Sequence, residues 1–148
     1  MPNPRPSSHE QMHELANSVR RLYNCLRHTS DELHAESEVS APKRTLLMDL
    51  QRYGPQTVPA LARSRFISRQ IIQTQINELV RAGFVESKPN PEHKRSKLIA
   101  LTDAGIDFLK QLSSRERDYM DSMDWSPDSK EVAGCIATLD EIYEQLRD

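Results

Sequence analysis

Phe84-Val85-Glu86-Ser87-Lys88-Pro89-Asn90-Pro91-Glu92-His93-Lys94-Arg95-Ser96-Lys97-Leu98-Ile99-Ala100-Leu101-Thr102-Asp103-Ala104-Gly105 is the decisive stretch of this chain. Phe84 and Val85 close a region of helical periodicity, and Pro89, Asn90 and Pro91 then force a turn. The short apolar run Leu98-Ile99-Ala100-Leu101 follows, so the stretch reads as two strands joined by a long hairpin loop. That loop concentrates His93, Lys94, Arg95 and Lys97. A tip of this charge density suits phosphate contact or entry into a minor groove; the alternative is an ordinary solvated tip. Thr102 then caps a fifth helix carrying Ile106, Leu109, Leu112, Tyr119 and Met123.

Upstream, Ser68 caps a fourth helix whose Ile72, Ile76 and Leu79 fall at i, i+4, i+7 and face inward. Arg69, Gln70, Gln73, Thr74 and Asn77 are thereby left outward, with Ile71 beside them. Arg pairs with guanine, Gln and Asn with adenine, and an apolar side chain with the thymine methyl. Only Glu78 brings negative charge to this helix, unlike the Glu/Lys mixture of a solvated face. Ala82-Gly83 ends it. Before it, Thr57 caps a short third helix through Leu61 and Ala62, and Arg63 to Ile67 is too irregular to extend it. A second helix starts at Ser40-Ala41-Pro42, shows Leu46, Leu47 and Leu50, and stops at Gly54-Pro55. The first helix has two registers for a capping box, Ser7 with Glu10 and Ser8 with Gln11. Its seam is Met12, Leu15, Val19, Leu22, Leu26 and Leu33, ending near His34. A sixth helix is expected from Ser126-Pro127, with the stripe Val132, Ile136, Leu139, Tyr143 and Leu146.

The 148 residues make about one domain, with 28% charged and 36% hydrophobic residues. No run of about 18 apolar residues exists to cross a membrane. The Pro-rich residues 1–8 read as a disordered arm without a signal-peptide core, so a cytoplasmic location is expected. The net charge of −2 conceals a division: residues 52–97 hold nine Lys/Arg against three Asp/Glu, and the remainder eleven against nineteen. Such a basic block commonly faces a polyanion. Cys25 and Cys135 are too few and too far apart for a disulfide scaffold or a zinc module.

Two short helices joined by a tight link and followed by a basic hairpin form a winged helix-turn-helix, the second helix suited to the major groove. The fold class is therefore mainly α: six helices, a two-stranded wing, and long flanking helices. The run from Thr57 to Gly105 resembles the multiple-antibiotic-resistance regulator (MarR) family. The matching pieces are Val58-Pro59-Ala60-Leu61-Ala62, Ile67-Ser68-Arg69-Gln70, Leu79-Val80-Arg81-Ala82-Gly83-Phe84-Val85 and the string from Asn90 to Gly105. The family pattern in that string is Asp-Pro, an Asp-x-Arg wing signature, apolar residues and Leu-Thr-x-x-Gly. Here Asn90 replaces the first Asp, and His93 replaces the Asp that usually helps hold the wing arginine, which is matched by Arg95. Gln75 stands where the family's recognition helix often has an apolar residue.

The resemblance implies one domain over 9–148. Residues 9–35 and 103–148 would be dimerisation helices, and 41–102 the DNA-binding lobe. It implies a homodimer on pseudo-palindromic operator DNA, a repressor released by a small aromatic inducer. The DNA-contacting residues would be Ser68, Arg69, Gln70, Ile71, Gln73, Thr74, Asn77, His93, Lys94, Arg95 and Lys97. Tyr23, Tyr53 and Trp125 are the inducer-lining candidates. Cys25 is the candidate redox thiol, near Arg20, Arg21 and Arg27, with an inert thiol as the alternative; Cys135 reads as core. His9 and His13 share a helix face but lack a third ligand, so they read as polar helix residues and not as a metal site. Neither a nucleophile constellation nor a phosphate-binding glycine loop is present, so a non-enzyme without a cofactor is expected. The competing reading is a winged-helix architectural or protein-interaction module without operator specificity.

Overall fold

The computed structural model describes residues 7–147, so most of the expected N-terminal arm lies outside it. The elements are α1 (His9–Leu33), α2 (Ala41–Tyr53), β1 (Gln56–Thr57), α3 (Val58–Arg65), α4 (Arg69–Arg81), β2 (Val85–Lys88), β3 (Leu98–Leu101), α5 (Asp103–Asp121) and α6 (Ser129–Leu146). They group into two compact units, one up to Arg115 and one from Glu116.

In the first unit, Ser8 and Gln11 close the capping box that starts α1. Gln11 N donates to Ser8 Oγ at 3.2 Å, and Ser8 N donates to Gln11 Oε1 at 3.0 Å. The Ser7 register is not used. Arg44 of α2 is buried. It donates to the Val39 carbonyl at 2.9 Å and reaches Asp31 at 3.2 Å, which ties the end of α1 and the following loop to α2. The core lies between α2, α3 and α4: Leu46, Leu47 and Leu50 meet Leu61, Ala62, Ile72, Ile76 and Leu79, with Val85, Ile99, Leu109 and Leu112 closing it. The inward stripe expected of the fourth helix is the one that is buried.

The sheet has three strands in the order β1-β3-β2 and is wholly antiparallel. The expected two-stranded wing is the β2–β3 hairpin, and β1 adds a third strand on the other edge of β3. Gln56 pairs with Ile99 and Thr57 with Leu98. A two-residue polar strand has no alternation to betray it, and it exists only because the turn at Gly54-Pro55 lays it on the edge of β3. Phe66 ends α3 in the left-handed region, later than the expected irregular stretch allowed.

Gly83, at φ 80°, closes α4 in a Schellman turn: Gly83 N donates to Val80 O and Phe84 N to Leu79 O, each at 3.0 Å. Onto this turn the chain returning from the wing is fastened. Thr102 N donates to Phe84 O at 3.1 Å and Thr102 Oγ1 to Gly83 O at 2.5 Å, while the same Oγ1 accepts from Gly105 N at 3.1 Å as the cap of α5. Gly105 is buried there, and a Cβ on it would overlap the Phe84 carbonyl. Phe84 and Phe108 stack above, with ring centroids 4.8 Å apart.

In the second unit, α5 ends at Asp121, short of Met123. Ser122 Oγ and Trp125 Nε1 donate to the Tyr119 and Met120 carbonyls, which satisfies the helix terminus. The sixth helix starts at Ser129 with Asp128 as its cap, not at Ser126-Pro127. Asp128 accepts from Lys130 N and Glu131 N, and Glu131 Oε2 accepts from Asp128 N. This reciprocal box satisfies more orphan donors than a serine followed by proline.

Gly105→Ala is expected to lower stability by about 1–3 kcal/mol, because backbone rather than a mobile side chain must move. Thr102→Val should cost a similar ~1–3 kcal/mol, since it leaves the Gly83 carbonyl unpaired. Urea unfolding of each against wild type checks this, and an unchanged midpoint for Gly105→Ala would contradict the packing.

Candidate nucleic-acid interface

Turn residues 66–68 join α3 to α4. The Ser68 Oγ accepts from Ile71 N at 3.3 Å, so this side chain starts the recognition helix while its hydroxyl proton stays available to donate. Arg69, Gln70, Ile71, Gln73, Thr74 and Asn77 are all exposed. Gln73 Nε2 donates to Asn77 Oδ1 at 2.9 Å, which fixes the two amides relative to each other on one face. Thr74 Oγ1 donates to the Gln70 carbonyl at 3.0 Å, so its hydroxyl is turned to the helix.

Glu78, the one acid of α4, is held away from this face by Lys43 of α2 at 2.7 Å. The Lys43 hydrogen bond and charge lower its pKa below the ordinary carboxylate value. It therefore stays ionised and paired, and the outward face of α4 carries no free negative charge.

The wing tip is ordered by its own backbone and one side chain. Asn90 Oδ1 accepts from Glu92 N at 3.1 Å, His93 N donates to Asn90 O at 3.3 Å, and Ser96 N donates to His93 O at 3.2 Å. His93, Lys94, Arg95 and Lys97 are exposed, and among the described residues none of them forms an ion pair. The loop with His93 in the place of the family's Asp is thus held by an Asx turn on Asn90.

Helix and wing meet. A cleft of about 540 Å3 is lined by Arg69, Gln70 and Gln73 from α4 and by Arg95 and Lys97 from the wing. Of the remaining DNA-contact candidates, Ser68, Ile71, Thr74 and Asn77 lie along α4 outside the cleft, and His93 and Lys94 sit on the wing loop.

The inducer-lining candidates come from three stretches of the chain. Tyr23, Tyr53 and Trp125 are exposed on α1, on α2 and after α5, and Trp125 is spent on the end of α5. A cavity of about 520 Å3 in the first unit is lined by Lys43, Glu78, Phe84, Phe108, Leu112 and Arg115, among others. No local pattern announces it, because Lys43 and Glu78 meet across 35 positions. Cys25 is exposed, and so is Cys135, which the sequence placed in the core. Arg20 donates to Asn17 at 2.9 Å.

Residues 39–96 match the sequence model of the MarR family. The chain belongs to the MarR family of winged-helix regulators. This MarR-family chain is 33% identical over 102 residues to an uncharacterized protein of Mycobacterium tuberculosis, a match spanning 69% of this chain and 66% of that protein. Its fold resembles that of a MarR family transcriptional regulator from Silicibacter pomeroyi, with a TM-score of 0.82, 22% identity and 97% of each chain covered. It also resembles Bordetella bronchiseptica BpsR, whose DNA binding is regulated by 6-hydroxynicotinic acid; the TM-score is 0.68 with 17% identity, covering 95% of this chain and 98% of that one. Among the described residues, no helix is long and apolar enough to cross a membrane.

The Glu78 carboxyl should titrate below the usual range, and Lys43→Met should return it there. A group whose folded pKa is depressed stabilises above its unfolded pKa, and that contribution fades as pH falls through the folded value. The stability gap between wild type and Lys43→Met should therefore be present at neutral pH and close in acid. A carboxylate NMR titration with parallel urea unfolding checks both, and a Glu78 pKa that Lys43→Met leaves unmoved would contradict the assignment.

Proposed function

We propose that this protein is a homodimeric, sequence-specific DNA-binding transcription regulator that represses by occluding a promoter and is released by a small aromatic inducer. The observation that carries the reading is the cleft in which Arg69, Gln70 and Gln73 converge with Arg95 and Lys97. One cleft thus joins base-reading side chains on a helix that fits the major groove to backbone-neutralising side chains on an adjacent wing.

Homodimerisation is supported by the flanking helices. Neither α1 nor α6 contains a buried residue. Val19, Leu22 and Leu26 on α1 and Val132, Ile136 and Leu146 on α6 are exposed. Apolar helix faces of this extent call for a partner, and a second copy of the chain supplies one in a closed symmetric arrangement. Two recognition helices related by a two-fold axis then meet a pseudo-palindrome.

An inducer suits the cavity of the first unit. The Phe84 and Phe108 rings offer an aromatic wall, and Lys43 and Arg115 offer cationic donors at its rim. The regulation of DNA binding in the BpsR neighbour by 6-hydroxynicotinic acid, a small aromatic acid, supports this reading. A ligand displacing Lys43 from Glu78 would loosen the tie between α2 and the recognition helix.

Selection of genomic fragments by the purified protein, read by sequencing, should yield pseudo-palindromic sites. On such a site each phosphate contact contributes about 0.9 to the slope of log K against log salt. Arg95→Ala, with one wing per subunit, should lower that slope by about 1.8. Wild-type affinity and slope in this variant would mean that the wing does not engage DNA. Leu22→Glu combined with Ile136→Glu should leave the lobe folded, turn the dimer into a monomer in sedimentation, and abolish operator binding. A wild-type monomer that binds the palindrome tightly would refute the assembly.

A further inference from the structure

Phe66 occupies a backbone conformation and an environment that the fold itself does not reward. Among the described residues it is the one non-glycine with positive φ, at φ 53° and ψ 39°. A Cβ is penalised in this left-handed region, where glycine is the default and where the turn of a helix-turn-helix often places it. The ring gains nothing visible in return. It is 72% exposed, and among the large exposed hydrophobic residues only Leu146 is more so. The turn is held by backbone alone: Phe66 N donates to Arg63 O at 3.2 Å, and Ile67 N to Ala62 O at 3.1 Å. Glycine would make every one of these bonds. An isolated exposed apolar residue needs no explanation, but one that is also held in a disfavoured conformation does, and such positions cluster at functional sites.

The surroundings select the occupant. Phe66 stands two residues before Ser68, at the entry to α4, whose first turn exposes Arg69, Gln70 and Ile71. No acidic residue occurs between Asp49 and Glu78, and Arg63 and Arg69 lie exposed on either side of the turn, while Arg65 is spent on Asp49 at 2.6 Å. An apolar ring within a cationic surface matches a polyanion that carries apolar groups in its groove. Duplex DNA is such a polyanion, and its apolar group in the major groove is the C5-methyl of thymine. Ile71, 51% exposed in the first turn of α4, adds a second apolar contact on the same approach.

We propose that Phe66 is a specificity-determining residue that reads a thymine methyl at the edge of the major-groove segment entered by α4. The proposal rests on the reading of this lobe as operator-binding.

The test uses the full-length protein and a site selected from genomic DNA. Phe66→Gly and Phe66→Asn both suit the left-handed turn, and Phe66→Gly should unfold at or above the wild-type urea midpoint. Both should lose roughly tenfold in affinity for the operator while binding random DNA as the wild type does. Replacing operator thymines by deoxyuridine should cost the wild type affinity and cost the Phe66 variants distinctly less, because the methyl contact is already gone. The proposal is overturned if the variants bind the operator like wild type, or if they lose equally on random and deoxyuridine DNA. It is also overturned if both variants unfold earlier than wild type, which would assign the ring to packing. Gln73→Ala and Arg95→Ala separate the two levels. If they weaken operator binding and the Phe66 variants do not, this inference alone fails. If the wild type selects no operator, the DNA reading fails and takes this inference with it.

Discussion

Thr102 holds together the parts on which the candidate interface depends. Its amide and hydroxyl both bond to the turn that ends α4, while its oxygen caps α5. One residue thus joins the end of the recognition helix, the last strand of the wing and the first turn of the following helix. The joint works because Gly105 brings no side chain between α5 and the Phe84 carbonyl. Backbone bonds at such short range tolerate little displacement, so the angle between recognition helix and wing is set here rather than by the long wing loop.

Two features follow from that fixed angle. The first is the cleft shared by α4 and the wing, where Arg95 reaches the same space as Arg69 and Gln73 although the family's aspartate is missing at position 93. The second is the cavity behind the joint. Its aromatic wall is Phe84, whose carbonyl accepts from Thr102, and Phe108, one turn beyond Gly105. The cleft thus draws on the N-terminal half of α4, and the cavity on its C-terminal end. The Lys43–Glu78 pair on the cavity side also anchors α4 to α2. A ligand there would act on the recognition helix through a direct contact and would need no long-range relay.

Most of this architecture was legible in the sequence because its signals are local. The stripe of Ile72, Ile76 and Leu79, the cap at Ser68 and the stop at Gly83 are each determined within a few residues, and each stands where its pattern placed it. The failures are non-local or competitive. Strand β1 is too short to show a period and exists through its pairing with β3. The start of α6 was a contest between two caps, and the carboxylate of Asp128 with its partner Glu131 prevailed over Ser126. The cavity is assembled from residues far apart in the chain, so no local pattern announces it. Phe66 carries no sequence signal, because strain belongs to a dihedral angle, and no residue pattern announces it.

The central claim is that recognition helix and wing read DNA as one rigid surface, twice per dimer. Chemical footprinting on a selected operator tests it most directly, with guanine methylation probing the major groove and hydroxyl radicals probing the backbone and minor groove. The account predicts two symmetric major-groove contacts about 10 bp apart or a multiple of it, each flanked by a protected minor groove. Only the flanking protection should disappear in Arg95→Ala. Even protection along the fragment, or major-groove contacts without flanking protection in the wild type, would contradict it.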